Sequence, residues 1–214
     1  VKIKDLYAEQ EELSKKAVLI DSFDRLELIG GADCSYFSDK IIGGIAVLSY
    51  KGLDVVEKGY DVLMTDFPYI PGLLAYRESN AIFAALNKIK KRPDVLMIDG
   101  FGINHPRGCG IATYIGIKLN IPTIGIGKKF LCGTIIDDVI YQSSNKVGKL
   151  VYTANSIRPL YVSPGHKISL ETSVRIVERC IRKNRLPEPA RIAHEYVTEI
   201  KNRLKEIKEN KKII

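Results

Sequence analysis

The 214 residues carry 45% hydrophobic and 27% charged side chains, the balance of a globular chain and not of a disordered one, and the length suits one domain over residues 1–214. No apolar run is long enough to span a bilayer, and the opening VKIKDLYAEQEELSKKAV is too charged for a secretory signal, so a cytoplasmic protein with no membrane partner is expected. The net charge of +8 admits nucleic acid without singling it out, because part of the excess sits in KNRLKEIKENKKII, a solvated helical face by its alternating Lys and Glu.

In chain order, residues 2–17 read as a helix with Leu6 and Leu13 among charges. Leu28 to Phe37 and Ile41 to Tyr50 read as strands joined by a Ser-Asp-Lys turn, and Leu53 to Met64 extends them into a meander. Pro68 and Pro71 make PYIPG a loop, and a long helix is expected from Gly72 to Lys91. Asp94 to Ile98 is short and apolar, as a central parallel strand should be. A helix over Gly108–Leu119, a buried strand over Pro122–Ile126, and strands over Lys146–Ala154 and Leu160–Val162 follow. A helix over Ser169–Lys183 and, after a break at Pro187 and Pro189, a last helix running to about Glu209 close the chain. A meander followed by alternating strands and helices predicts an α/β fold with a mixed sheet. An all-parallel dinucleotide-binding sheet is rejected, because such a sheet does not begin with a hairpin and GGIAVLSYKG holds no GxGxxG turn.

Three acids stand out. Asp33 lies in the first strand beside Gly30, Gly31 and Cys34; Asp99 ends DVLMI before Gly100; Glu78 sits in the first turns of the helix after PYIP. An unpaired buried charge costs several kcal/mol, so such acids should be paired or hold a metal. Each alone has an ordinary structural explanation, but together they favour a Mg²⁺ site handling phosphate. Lys128, after PTIGI, is placed to neutralise a phosphate, and His194, near Arg191 and Glu195, to orient a water or support a metal-bound carboxylate. Pro68 and Pro71 stiffen a loop tipped by Tyr69, which suits either a base-unstacking wedge or a ring packed on the core. The cysteines (Cys34, Cys109, Cys132 and Cys180) form no CxxC pair, which argues for reduced thiols and against zinc.

FPYIPGLLAYRE, DGFGINHPRGCGIA, GIGKKFLCG and SPGH resemble the endonuclease V family, the deoxyinosine-specific repair nucleases, from about Leu28 to about Val197. The resemblance implies a ribonuclease H-like mixed sheet, an antiparallel three-strand meander plus parallel strands, flanked by helices. It implies Asp33, Glu78 and Asp99 as metal-site acids for Mg²⁺, with Mn²⁺ able to substitute, and His194 and Lys128 as further catalytic residues. Tyr69 matches the wedge tip, while Gly72, Leu74, Gly100, His105, Gly110 and Leu131 match positions around the base pocket. Arg77 and His166 fall in family motifs with supporting roles. Gly127 stands where many relatives carry alanine, a change expected to enlarge or loosen a pocket wall. The implied partner is DNA containing deoxyinosine or other deaminated bases, cut by a monomer at the second phosphodiester 3′ to the lesion. The alternatives are an inosine-specific endoribonuclease of the same fold and a non-catalytic binder of distorted nucleic acid. The binder is disfavoured because it has no need of negative charge beside phosphates.

Overall fold

The computed structural model describes residues 2–153 and 156–210. Its elements run α1 (Ile3–Ser14), β1 (Leu28–Phe37), β2 (Lys40–Ser49), β3 (Val55–Met64), α2 (Leu74–Leu86), β4 (Val95–Asp99), α3 (Ile111–Leu119), β5 (Thr123–Gly127), β6 (Thr134–Ile136), β7 (Val139–Gln142), β8 (Asn145–Thr153), β9 (Ser156–His166), α4 (Leu170–Cys180) and α5 (Glu188–Asn210). They build a mixed sheet in the order β3-β2-β1-β4-β5-β9-β8-β7-β6. The meander β1–β3 is antiparallel, and β4 and β5 add in parallel beside β1. Among the described residues, no helix is long and apolar enough to cross a membrane.

The sheet is covered on both faces, and strand residues alternate between two cores. Ile29, Ala46, Leu48, Val95 and Met97 pack with α4 and α5 residues such as Val174, Val177 and Ala193. Ala32, Ile45, Val47, Leu96 and Ile98 pack with α2 and α3 through Ile82, Ala85, Ile111 and Ile115. This period of two is what a strand dictates. It sends Asp33 and Asp99 toward the α5 face, whereas Glu78 rides on α2 from the other side.

One close approach fixes α5. A Cβ on Gly31 would lie 1.9 Å from the carbonyl oxygen of Pro189, so only glycine lets the start of α5 rest against β1. The β1–β4 pairing ends at Ala32 opposite Ile98, while β1 continues to Phe37 paired only with β2. Asp33 is the first β1 residue past that end and borders the notch where β4 stops.

Several element bounds differ from expectation for identifiable reasons. The α2 helix starts at Leu74, not Gly72, because Gly72 has φ +79° in a turn. It ends at Leu86, not Lys91, because the Glu57 carboxylate accepts from the Lys90 and Lys91 amides and draws the chain out of the helix. The strand expected over Lys146–Ala154 spans Asn145–Thr153, and Ala154 lies outside the described residues, as do the last four residues of the basic tail. The β9 strand is far longer than Leu160–Val162. Pro164 sits opposite Ile124 and His166 opposite Thr123, so a bulge at Gly165 absorbs an extra residue and masks the strand signal. The hairpin β6–β7 was not anticipated; its turn residues Asp137 and Asp138 both take positive φ, as a two-residue hairpin loop requires.

Candidate active site

At the notch, the Asp33 and Asp99 carboxylates and the His194 imidazole offer ligand atoms all within 4.8 Å of one another. Asp33 Oδ2 meets His194 Nδ1 at 2.6 Å, and Asp33 Oδ1 accepts the Cys34 amide at 2.7 Å. Lys128 Nζ donates to Asp99 Oδ2 at 2.5 Å. Arg185 donates to the Lys128 carbonyl at 2.9 Å and to that of Pro159 at 2.8 Å, which anchors the backbone carrying the lysine. Glu78 stands outside the tight trio. Its Oε1 accepts from the Tyr36 hydroxyl at 2.8 Å, Tyr36 lies under the Arg77 guanidinium, 4.5 Å from the ring centre, and Arg77 donates to the Phe67 carbonyl at the root of the PYIP loop. His166, by contrast, accepts the Val18 amide at 3.2 Å and ties the N-terminal segment to β9, a structural task.

The electrostatics are those of acids crowded without enough cations. Burial pushes Glu78 up to about 7, with Asp33 and Asp99 adding and the Tyr36 hydroxyl opposing. Burial and the neighbouring Asp33 push Asp99 up to about 6 against the pull of Lys128. The hydrogen bond to Asp33 raises His194. The Cys34 thiol beneath is held far above its ordinary value, by burial first and then by the three carboxylates. Such mutual destabilisation at a cleft marks a functional site more often than a structural one.

Where the chain leaves β4, two residues past Asp99, Phe101 enters the wall of a cavity of about 120 Å³, close to the roughly 150 Å³ that accepts a benzene ring. Tyr69, Gly72, Leu74, His105, Gly110 and Leu131 line it. Tyr69 is 70% exposed, so the ring is not packed on the core. Gly100 does not line the cavity; it backs the wall, since a Cβ there would lie 2.4 Å from Ile111 Cγ2 and Ile111 does line it. His105 Nε2 lies 3.1 Å from the Gly72 carbonyl and its Nδ1 accepts the Arg107 amide, which assigns a neutral ring with the proton on Nε2.

Four lining residues lie outside the set the sequence suggests: Gln10, Ala75, Phe101 and Ile111. Gln10 comes from α1, and its signal was a polar residue on the buried stripe Leu6-Gln10-Leu13. Phe101 explains Gly127: a Cβ there would lie 2.4 and 2.5 Å from Phe101 Cε1 and Cζ. The glycine therefore does not simply enlarge the pocket, because the phenyl ring takes the space. Gly127→Ala should cost about 1–3 kcal/mol by overpacking, and under about 0.5 kcal/mol in a Phe101→Ala background. Urea unfolding of the four proteins measures this, and equal costs in both backgrounds would refute the coupling.

Burial, and then Arg107, push His105 down to about 4. The unfolded ring, titrating near 6.5, binds a proton that the folded ring refuses, so stability falls as pH drops from about 6.5 to 4, by on the order of 3 kcal/mol. Unfolding titrations of wild type and His105→Gln over that range check this; an unchanged pH slope in the variant would count against it.

The sequence model of the family described as Endonuclease V matches residues 11–195. The chain belongs to the endonuclease V family. The endonuclease V of Dictyoglomus turgidum is 45% identical over 195 residues, covering 87% of this chain and 86% of that protein. The structure of endonuclease V from Bacillus subtilis superimposes with a TM-score of 0.90 at 26% identity, covering 96% of this chain and 94% of that one. Endonuclease V from Ciona intestinalis, solved in complex with a 24mer DNA containing an inosine followed by a ribo-adenosine, gives a TM-score of 0.84 at 29% identity over 96% and 98% of the two chains. The mixed sheet is thus the ribonuclease H-like fold that these endonuclease V structures share.

Proposed function

We propose that this member of the endonuclease V family cuts DNA at deoxyinosine and other deaminated bases, with one domain carrying wedge, pocket and acids. The observation that carries the reading is the convergence of Asp33, Asp99 and His194, with the chain running from Asp99 in two residues to Phe101 in the wall of a ring-sized cavity that an exposed Tyr69 also lines. The donor set fits a divalent cation: oxygen-rich, with acids whose ionisation the site itself opposes. Carboxylate oxygens suit Mg²⁺, with Mn²⁺ able to substitute. Asp33 and Asp99 would hold the ion, with His194 supporting and Glu78 joining from the α2 side. When bound, it supplies charge neutralisation at phosphate and a more acidic water.

The chain's own groups divide the remaining work. Tyr69, on its proline-braced loop, fills the gap left when the damaged nucleotide leaves the stack. Peptide groups of the pocket read the 6-keto edge, where adenine's amine would oppose donor to donor. Arg77 binds the Phe67 carbonyl and stacks on Tyr36, which holds Glu78, so the wedge root and a metal-site acid share one clamp. Lys128 stabilises charge gathering on the attacked phosphate. Hydrolysis at the second phosphodiester 3′ to the lesion breaks the bond from phosphorus to O3′. Hydroxide from water goes to phosphorus and a proton to O3′, leaving 3′-hydroxyl and 5′-phosphate ends. The four free thiols accord with a reducing, cytoplasmic setting.

The test is a nicking assay with end-labelled duplexes that differ only in one inosine, in Mg²⁺, with a matched inosine RNA beside them. Wild type should nick inosine DNA at the expected bond and spare the adenine control. Preference for RNA would favour the endoribonuclease reading, and tight binding with no cleavage of either would favour a binder.

A further inference from the structure

Gln10 is 1% exposed, yet it is an amide on the buried stripe of α1. Burying an amide without partners costs several kcal/mol, so its contacts carry meaning. Its Nε2 donates to the Gly72 carbonyl at 3.0 Å and to the Cys109 carbonyl at 3.0 Å. Its Oε1 accepts Arg107 Nε at 2.7 Å. The orientation is fixed by chemistry, since a flipped amide would set oxygen against two carbonyls and nitrogen against a guanidinium. Arg107 in turn donates to Gly72 O at 2.9 Å and lies 4.0 Å above the Tyr7 ring, also on α1.

The two carbonyls that Gln10 joins belong to two separate chain segments that contribute to the cavity lining. Gly72 lies just after the wedge loop, and Cys109 immediately precedes Gly110, which opens α3; Gly72 and Gly110 both line the pocket. We propose that Gln10 is a positioning residue that sets the width of the base pocket, a cross-brace supplied by α1 that holds the Gly72 segment to the Cys109–Gly110 segment. The proposal rests on the reading of this cavity as the base site. Its consequence is selectivity: peptide groups discriminate a 6-keto from a 6-amino purine only while held in register, and a displacement of about 1 Å can cost on the order of 100-fold.

The test measures kcat and KM for inosine and adenine duplexes with wild type, Gln10→Leu and Gln10→Glu, alongside thermal unfolding. Leucine keeps the bulk and removes all three hydrogen bonds. Glutamate keeps the shape and the Arg107 partner but turns acceptors toward two carbonyls. Both should lower the inosine-to-adenine ratio of kcat/KM by about 10-fold or more, chiefly through KM, with glutamate the worse, on the scale set by misplacing a recognition group. A brace that matters only to folding would lower the melting temperature and leave the ratio and KM within about twofold of wild type, given that surface-independent stability losses do not retune recognition; that result in either folded variant overturns the proposal. No nicking of inosine DNA by wild type refutes the reading of the cavity itself, and the brace's proposed role falls with it.

Discussion

Asp33→Asn should abolish cleavage and yet leave the cation-free protein more stable at pH 8. The loss of activity should be at least about 10²- to 10³-fold, the scale for deleting one group on which charge stabilisation depends. The gain in stability follows from the crowding. Glu78 and Asp99 are pushed up to about 7 and about 6, and Asp33 is among the causes of both shifts. Their folded values exceed the unfolded ones, so the folded state binds more protons, and stability is lost as pH rises from about 4 toward 7. Removing the Asp33 charge relieves part of that loss. The side-chain amide also fits: Oδ1 still accepts the Cys34 amide, and Nδ2 can donate to His194 Nδ1 once the imidazole carries its proton on Nε2. An increase of about 1–2 kcal/mol would raise the melting temperature by roughly 2–8 °C for a chain of this size, and the difference should shrink toward pH 5. Calorimetry at pH 5 and 8, with nicking assays on the same preparations, decides it. A variant that cuts within tenfold of wild type, or is less stable at pH 8, would sink this account.

Gly31→Ala should be the most damaging single methyl group in the chain. It places a carbon 1.9 Å from the Pro189 carbonyl oxygen and 2.2 Å from its carbon, which are backbone atoms with no rotamer to give way. The start of α5 must lift from β1, and the disturbance is carried along the helix to His194, whose Nδ1 sits 2.6 Å from Asp33. Overpacking costs about 1–3 kcal/mol, and a backbone clash belongs at the upper end, equivalent to roughly 6–12 °C in melting temperature. Activity should fall further than stability alone predicts, because imidazole and carboxylate part company. Scanning calorimetry and single-turnover cleavage at 25 °C check both halves. A melting temperature within 2 °C of wild type would show that α5 accommodates the methyl group by sliding.

The sheet was readable from sequence where its signals are local. β1 and β2 are apolar-rich runs joined by a Ser-Asp-Lys turn, β3 extends them, and β4 and β5 are short apolar runs bounded by turns, so the mixed sheet is legible from composition and turn signals. The β6–β7 hairpin was not read, since its strands hold only three and four residues and Ile135 and Ile136 are exposed; the Asp137-Asp138 turn was the available clue. Within the site, Asp33 and Asp99 announced themselves as acids on apolar strands. The position of Glu78 outside the tight trio was invisible, because it depends on the far end of its carboxylate finding Tyr36. Gln10 and Phe101 were hidden for a different reason. Their partners lie 62 and 99 residues away for Gln10, and Phe101 shows its purpose only against the missing side chain of Gly127. No local periodicity encodes such pairings.

The two cores on opposite faces of the sheet have a bearing on activity. Asp33 and Asp99 project toward the layer held by α5, which supplies His194, while Glu78 arrives with the layer held by α2. The cluster therefore exists only in molecules with both layers docked. On the proposed reading of the site, a chain that has seated only one layer holds an incomplete set of groups, so strand cleavage is expected only of molecules in which both layers are docked.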